Sequence, residues 1–145
     1  MTRRFLLDTN AIGHLIYRRF DVPRRAASVR QQGGVIGTCL PVVGELYFGV
    51  ERSSSRDFSF AAITTGLRAI KIWPFDLPAA KEFGRIAAHL KRSGRPMQVV
   101  DVQLAAIAIV LGATVVSTDS DLAAVPGLAV ENWSAPASPP AAPTS

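Results

Sequence analysis

Short apolar runs alternate along the chain with longer segments of helical character. Phe5-Leu6-Leu7 is a continuous apolar run that leads directly into Asp8, and such a run is typical of a strand buried on both faces of a parallel sheet. We predict a first strand over 4–8. Four further strands are predicted at 35–38, 70–73, 114–117 and 129–131. Ligands of open α/β sheets bind at the carboxyl ends of the strands, where Asp8 would lie.

Helical segments separate these strands. Four helices are predicted over 10–17, 57–69, 78–92 and 98–111. Another starts at 21–23 and is ended by Gly33-Gly34, and a sixth runs from Pro41 to about residue 51. The helix over 98–111 is apolar nearly all round, so we expect it to be buried against the sheet. Alternating strands and helices indicate an α/β fold with a central parallel sheet. We expect one domain over 1–134 and a disordered Pro/Ala-rich tail over 135–145.

Composition narrows the class of protein. Hydrophobic residues make up 48% and charged residues 19% of the 145 residues, which is enough for a core and argues against wholesale disorder. The single cysteine, Cys39, rules out an intrachain disulfide and fits a reducing compartment. The apolar run before Asp8 is too short for a signal peptide. The longest apolar stretch, 104–111, is far short of the ~20 residues that span a bilayer. We therefore expect a soluble, cytoplasmic protein.

Four carboxylates stand out by their positions. Asp8 and Asp119 follow predicted strands, Glu45 lies within an apolar helix segment, and Asp101 lies in the first turn of the most apolar helix. Capping, turn chemistry or a solvated helix face explains each one separately. The presence of four such carboxylates favours one shared site, because each lies beside a strand end or early in a helix. Oxygen ligands with no His or Cys suit Mg²⁺ or Mn²⁺.

The segments around these acids resemble the motifs of the PIN-domain ribonucleases. The similar stretches are LLDTN at 6–10, VVGELYFG at 42–49, GRP at 94–96 with Asp101 and 104–106, and VVSTD at 115–119 followed by Asp121 and Leu122. The ending over 125–133 also matches. The resemblance covers about residues 4–133 and is nearest to the VapC toxins of type II toxin–antitoxin systems. It implies a three-layer α/β/α fold and metal-dependent RNA cleavage.

The resemblance also implies roles for the acids. Asp8, Glu45, Asp101 and Asp119 match the family's catalytic and metal-binding positions, and Asp121 is an alternative or additional fourth acid. We expect Asp8 and Asp101 to bind Mg²⁺ or Mn²⁺ directly, Glu45 to act through water, and Asp119 to complete a second metal site. One metal or two remains open.

The expected partners follow from charge and from the resemblance. The net charge of +5 fits either a solvated basic surface or an RNA substrate. Candidate phosphate contacts near the third motif are Arg85, Lys91, Arg92 and Arg95, although a solvated helix face explains any one of them equally well. The resemblance implies a VapB-type antitoxin and a homodimer.

We expect the antitoxin to inhibit by covering the site. Its tail would lie across a groove near Leu46, Tyr47, Phe48 and Val50. It would place an Arg or Lys among the four acids, because a guanidinium pairs with carboxylates directionally.

Other classes fit the sequence less well. A phosphatase of the strand-end Asp type needs a second Asp where Asn10 stands, and a receiver domain needs an acidic pair where Arg3 and Arg4 stand. A metal-free ribonuclease needs a His acid/base pair, and the two histidines lie outside the acidic pattern. A housekeeping PIN nuclease without an antitoxin and a silent PIN binding module remain the alternatives.

Overall fold

Five parallel strands form one sheet at the centre of residues 2–134, the part of the chain that this computed structural model describes. The elements in chain order are β1 Arg4–Leu7, α1 Thr9–Ile16, α2 Val22–Gln31, β2 Val35–Cys39, α3 Leu40–Glu51, α4 Arg56–Leu67, β3 Lys71–Trp73, α5 Leu77–Arg92, α6 Val99–Leu111, β4 Thr114–Val116 and β5 Ala129–Glu131. The sheet order is β3-β2-β1-β4-β5, which confirms the predicted α/β fold with a parallel sheet.

The central strand β1 is buried on both faces. Phe5, Leu6 and Leu7 are at most 1% exposed, and because successive side chains of a strand point to opposite faces, helices must cover the sheet on both sides. This gives the predicted three layers. β1 pairs with β2 on one side and with β4 on the other. The strand order therefore reverses at β1, and such a switch point opens a crevice at the carboxyl ends of the strands.

The most apolar helix, α6, packs against β1, β4, α3 and α5. Its central residues, Leu104 to Ala108, are all buried, as the all-round apolar pattern predicted. Gly112 ends the helix in the left-handed conformation with φ 65°, which a residue without Cβ adopts at low cost. The burial of α6 fixes the position of its first turn, which carries Asp101.

Trp133 closes the core after β5. Its ring lies 5.4 Å from that of Phe5, centroid to centroid, and its indole Nε1–H donates to Glu131 Oε1 at 3.0 Å. The side chain is 2% exposed, so the domain extends at least to this residue. The tail expected over 135–145 lies outside the described residues.

The predicted helices and strands agree with the observed ones, apart from the positions of their ends and one additional helix. Helix and strand ends differ by one or two residues. The segment Ser120–Ala124 forms a 3₁₀ helix that the sequence did not predict, with Asp119 as its N-cap and Leu122 buried beneath it. Within residues 2–134, no helix combines the length and apolar character needed to cross a bilayer.

The burial of Trp133 predicts that the free energy of unfolding depends strongly on this residue and little on the residues after Ser134. Trp133→Ala should lower the free energy of unfolding by about 3–5 kcal/mol, because it leaves a cavity against Phe5. Truncation after Ser134 should change it by less than about 0.5 kcal/mol, since the removed residues have no apolar face. Urea denaturation of both variants measures the difference. A truncated chain as unstable as Trp133→Ala would show that the tail contributes to the core.

Candidate active site

Asp8 lies at the switch point of the sheet, directly after β1. Its backbone N–H donates to the Val116 carbonyl of β4 at 3.1 Å. Its Oδ1 accepts from the Ala11 backbone N–H at 2.8 Å, which caps α1, and its Oδ2 accepts from the Ser117 hydroxyl at 2.5 Å. The capping role proposed for an isolated Asp8 is therefore real, and the carboxylate also reaches across to β4.

The environment of Asp8 disfavours its charge. Burial raises the pKa of this carboxyl, the hydrogen bonds from Ser117 and Ala11 oppose that rise, and the nearby charge of Asp119 adds to it. Desolvation of a carboxylate is compensated only by donors or by cations. No basic side chain pairs with Asp8 among the salt bridges of residues 2–134.

Ser117 joins two of the predicted acids. Its Oγ donates to Asp8 Oδ2 and accepts from the Asp119 backbone N–H at 2.9 Å, while the side chain is buried at 3% exposure. The hydroxyl thus fixes both the rotamer of Asp8 and the start of the loop that carries Asp119. Sequence reasoning missed Ser117. The available signal was a hydroxyl at the end of a buried strand, where a polar atom needs a partner.

Thr9 holds the third acid in a similar way. Its hydroxyl donates a short hydrogen bond to Glu45 Oε1, which links the first residue of α1 to α3. Glu45 is half-buried, and its charge contributes to raising the pKa of Cys39 to about 11, mainly an effect of burial. Thr9 was also missed as a site residue, because a Thr at a helix start is explained by local turn chemistry alone.

Asp101 brings the four carboxylates into one electrostatic cluster. Burial in the first turn of α6 raises its pKa to about 6, and the charges of Asp119, Asp8 and Glu45 add to the effect in that order. Like charges raise a carboxyl pKa only when they are near it. Asp8, Glu45, Asp101 and Asp119 therefore lie around one region at the carboxyl end of β1 and β4.

The chemistry of this cluster fits a divalent cation. All donors are carboxylate oxygens, which Mg²⁺ and Mn²⁺ prefer, and a cation would offset both the burial and the repulsion that raise the pKa of Asp101. Within residues 2–134, however, no three metal-ligating side chains lie close enough together to enclose a cation. Asp8, Glu45 and Asp119 instead accept hydrogen bonds from Ser117, Thr9 and the Asp121 backbone.

Comparisons with known proteins identify the family of this chain. The PIN-domain family profile matches residues 5–128. The chain belongs to the PIN-domain family. It is 31% identical to the tRNA(fMet)-specific endonuclease VapC of Shigella flexneri over 90% of this chain and 98% of that protein.

Solved structures of about the same size share the fold. The VapBC2 structure from Rickettsia felis, bound to a DNA fragment from its promoter, has a TM-score of 0.82 at 23% identity and covers 90% of this chain and 98% of that one. The DNA-bound VapBC structure from Salmonella typhimurium has a TM-score of 0.81 at 24% identity and covers 92% and 99%.

Asp121, the alternative or additional fourth acid of this PIN domain, is less closely tied to the cluster. It is exposed on the 3₁₀ helix, and its backbone N–H donates to Asp119 Oδ1 at 2.9 Å. The charge of Asp119 acts on both Asp8 and Asp101. This favours Asp119 as the fourth acid, whereas Asp121 lines a neighbouring cleft together with Arg95.

The four predicted basic residues differ in their surroundings. Arg85 forms an ion pair with Glu82 on α5, so part of its charge is compensated. Lys91, Arg92 and Arg95 are exposed at the end of α5 and in the loop that follows. Lys91 lines a largely apolar cleft between α5 and α6.

The groove predicted at α3 is wrong in this PIN domain. Leu46 and Val50 are buried in the core, and the Tyr47 hydroxyl is hydrogen-bonded to Thr64 of α4 at 2.7 Å, because α3 packs this face against its neighbours. Phe48 alone is exposed, at 61%.

An open apolar cleft of about 550 Å³ lies elsewhere, between α1, α2 and α4. The residues that line it are Leu15, Ile16, Arg18, Arg30, Phe58, Ala61, Ala62, Thr65, Gly66, Ala69 and Ile70. The helices leave this apolar surface uncovered within residues 2–134.

The raised pKa of Asp101 predicts a specific pH dependence. The folded chain binds this proton more tightly than the unfolded chain, whose carboxyl has an ordinary pKa of 3.8. The contribution to stability is therefore complete below about pH 4 and is lost as the pH rises through about 6. Asp101→Asn should stabilise the metal-free protein at pH 8 by about 1 kcal/mol after allowance for solvent screening, and give no gain at pH 4.

Thermal unfolding in EDTA at both pH values measures this effect. Asp57→Asn, which neutralises an exposed carboxylate of α4, is the control and should show no such gain at pH 8. A large drop in the melting temperature of Asp101→Asn would instead assign Asp101 to the stabilisation of the helix terminus.

Proposed function

We propose that this PIN-domain chain is a Mg²⁺- or Mn²⁺-dependent endoribonuclease that acts as the toxin of a toxin–antitoxin pair. The observation that carries the proposal is the cluster of four carboxylates around Asp101 at the switch point of the sheet. Relatives named as VapC ribonucleases support the reaction class.

Asp8 and Asp101 are the proposed direct metal ligands, Glu45 acts through water, and Asp119 completes a second site. When bound, one or two such cations lower the pKa of a water molecule and neutralise charge on the phosphate that is attacked. Ser117 holds the Asp8 carboxylate and the Asp119 loop, and Thr9 holds Glu45. Such hydroxyl contacts keep ligands oriented before a cation arrives.

The basic surface supplies the attraction for RNA. The 16 basic residues outnumber 11 acidic ones, four of which form the cluster, so the remaining surface is strongly positive. Lys91, Arg92 and Arg95 are the proposed phosphate contacts, because they are exposed near the first turn of α6. Arg85 is the weakest of the four candidates, since Glu82 neutralises it.

A VapB-type antitoxin is the proposed inhibitor. The apolar cleft between α1, α2 and α4 is open to an amphipathic helix, which docks through an apolar face. A basic side chain from the same partner would pair with the clustered carboxylates. Solved VapBC complexes with the same fold support this partner class. The expected homodimer stays a prediction.

The nuclease proposal predicts dependence on a divalent cation. The purified chain should cleave single-stranded or structured RNA in Mg²⁺ or Mn²⁺, leave 5′-phosphate ends, and lose activity in EDTA. Asp8→Asn should lower the rate at least 100-fold while its melting temperature stays close to that of the native chain, because Asn is also a good N-cap. Cleavage that persists in EDTA would refute the metal mechanism.

The toxin proposal predicts growth arrest that a neighbouring gene relieves. Expression of the chain alone should stop growth, and coexpression with the adjacent antitoxin gene, or the Asp8→Asn substitution, should restore it. Plate counts after induction measure the effect. An active enzyme that is harmless in both cases would indicate a housekeeping nuclease. A harmless chain with no nuclease activity would indicate a silent PIN module.

A further inference from the structure

A small cleft lies beside the candidate active site. It has a volume of about 250 Å³ and is lined by Arg95, Pro96 and Met97 from the α5–α6 connection and by Asp121 and Ala124 from the 3₁₀ helix. None of these residues belongs to the cluster of four carboxylates, and none lines the apolar cleft between α1, α2 and α4.

Two connections place this cleft next to the carboxylates. The Asp121 backbone N–H donates to Asp119 Oδ1 at 2.9 Å, so one wall begins at a residue of the cluster. Met97 lies two residues before α6 begins at Val99, and Asp101 lies in the first turn of that helix, so the other wall leads into this turn. Both walls of the cleft are therefore continuous with segments that carry acids of the cluster, Asp119 on one side and Asp101 on the other.

The cleft presents two opposite charges that do not neutralise each other. Among the salt bridges of residues 2–134, neither Arg95 nor Asp121 has a partner, although both line the same cavity. The Arg95 backbone is fixed by its N–H bond to the Leu90 carbonyl at 2.9 Å. An arginine and an aspartate that line one cavity without an ion-pair partner are both available to a ligand.

We propose that this cleft binds a guanosine of the RNA substrate next to the scissile phosphate; the inference rests on the proposed ribonuclease function. The Asp121 carboxylate accepts from the N1–H and the 2-amino group of the base, and the Arg95 guanidinium binds the phosphate of the same nucleotide. Pro96 and Met97 contact the face of the base.

Guanine is favoured because of its hydrogen-bonding edge. It presents two adjacent donors to a carboxylate on its Watson–Crick edge, whereas adenine, cytosine and uracil present a single donor group there. Unstacked RNA bases are read on this edge in single-stranded segments. A good bidentate contact discriminates against the wrong base by roughly 10- to 100-fold.

The test measures RNA binding by the full-length chain in EDTA, where the proposed reaction cannot proceed. Fluorescent single-stranded oligouridylates carry one guanosine, one inosine or neither. The native chain should bind the guanosine probe about tenfold more tightly than the inosine probe, because inosine lacks the 2-amino group. Asp121→Asn should bind both equally, and Asp57→Asn, a control in an exposed α4 carboxylate, should keep the preference.

Arg95→Ala tests the phosphate contact separately. It should weaken binding of all three probes by the same factor and reduce the slope of log affinity against log salt by about 1. Arg56→Ala is the matched control, because it removes the same charge from a residue that is already paired with Glu51 and is not among the candidate phosphate contacts. It should leave the slope nearly unchanged.

The outcomes separate this inference from the nuclease proposal. Equal affinity of the native chain for guanosine and inosine probes, with metal-dependent cleavage intact, overturns the subsite and leaves the nuclease standing. A loss of Mn²⁺ binding by Asp121→Asn, measured by calorimetry without RNA, also overturns it, since Asp121 would then be a metal ligand. A guanosine preference in a chain that cleaves no RNA supports the subsite and refutes the nuclease.

Discussion

The parallel pairing of β1 with β4 is the constraint on which the candidate site depends. Leu7 lies opposite Val116 in this pairing. The residues that directly follow them, Asp8 and Ser117, therefore lie side by side at the same edge of the sheet. Burial of β1 on both faces enforces this register, because a slip of one residue would exchange the side chains between the two faces and bring Asp8 toward the core. The site is therefore fixed by apolar packing that contains no acidic group.

Repulsion within the cluster opposes the stability that this packing provides. The sheet and α6 bring carboxylates together, and the pKa of Asp101 is raised first by burial and then by the neighbouring charges. Hydroxyls and backbone amides hold Asp8, Glu45 and Asp119 without supplying positive charge. Clustered negative charge attracts cations, whether a metal ion or a basic side chain, so the proposed activation and the proposed inhibition would use the same electrostatic imbalance.

Most of the fold could be predicted from the sequence because it depends on local patterns, whereas the grouping of the four acids was inferred from their positions together and from the family resemblance. The apolar run before Asp8 and the all-apolar α6 permit few other arrangements. The contacts of Thr9 and Ser117 could not be predicted, since each joins residues that are distant in the chain, 36 positions for Thr9 and Glu45 and 109 for Ser117 and Asp8. The groove expected at Leu46 and Val50 was wrong because an apolar helix face does not reveal whether a neighbouring helix already covers it.

The N-cap at Asp8 also bears on how such a chain can change its role over evolutionary time. Capping requires only a side-chain oxygen, whereas the metal-binding role proposed for Asp8 relies on its negative charge. Asparagine keeps the first requirement and fails the second, so a single exchange of one oxygen for an amide group can end the chemistry while the architecture persists. Nucleases of this design therefore lie one step from inert binding proteins of the same shape, and an intact fold is no guarantee of a working enzyme among their descendants.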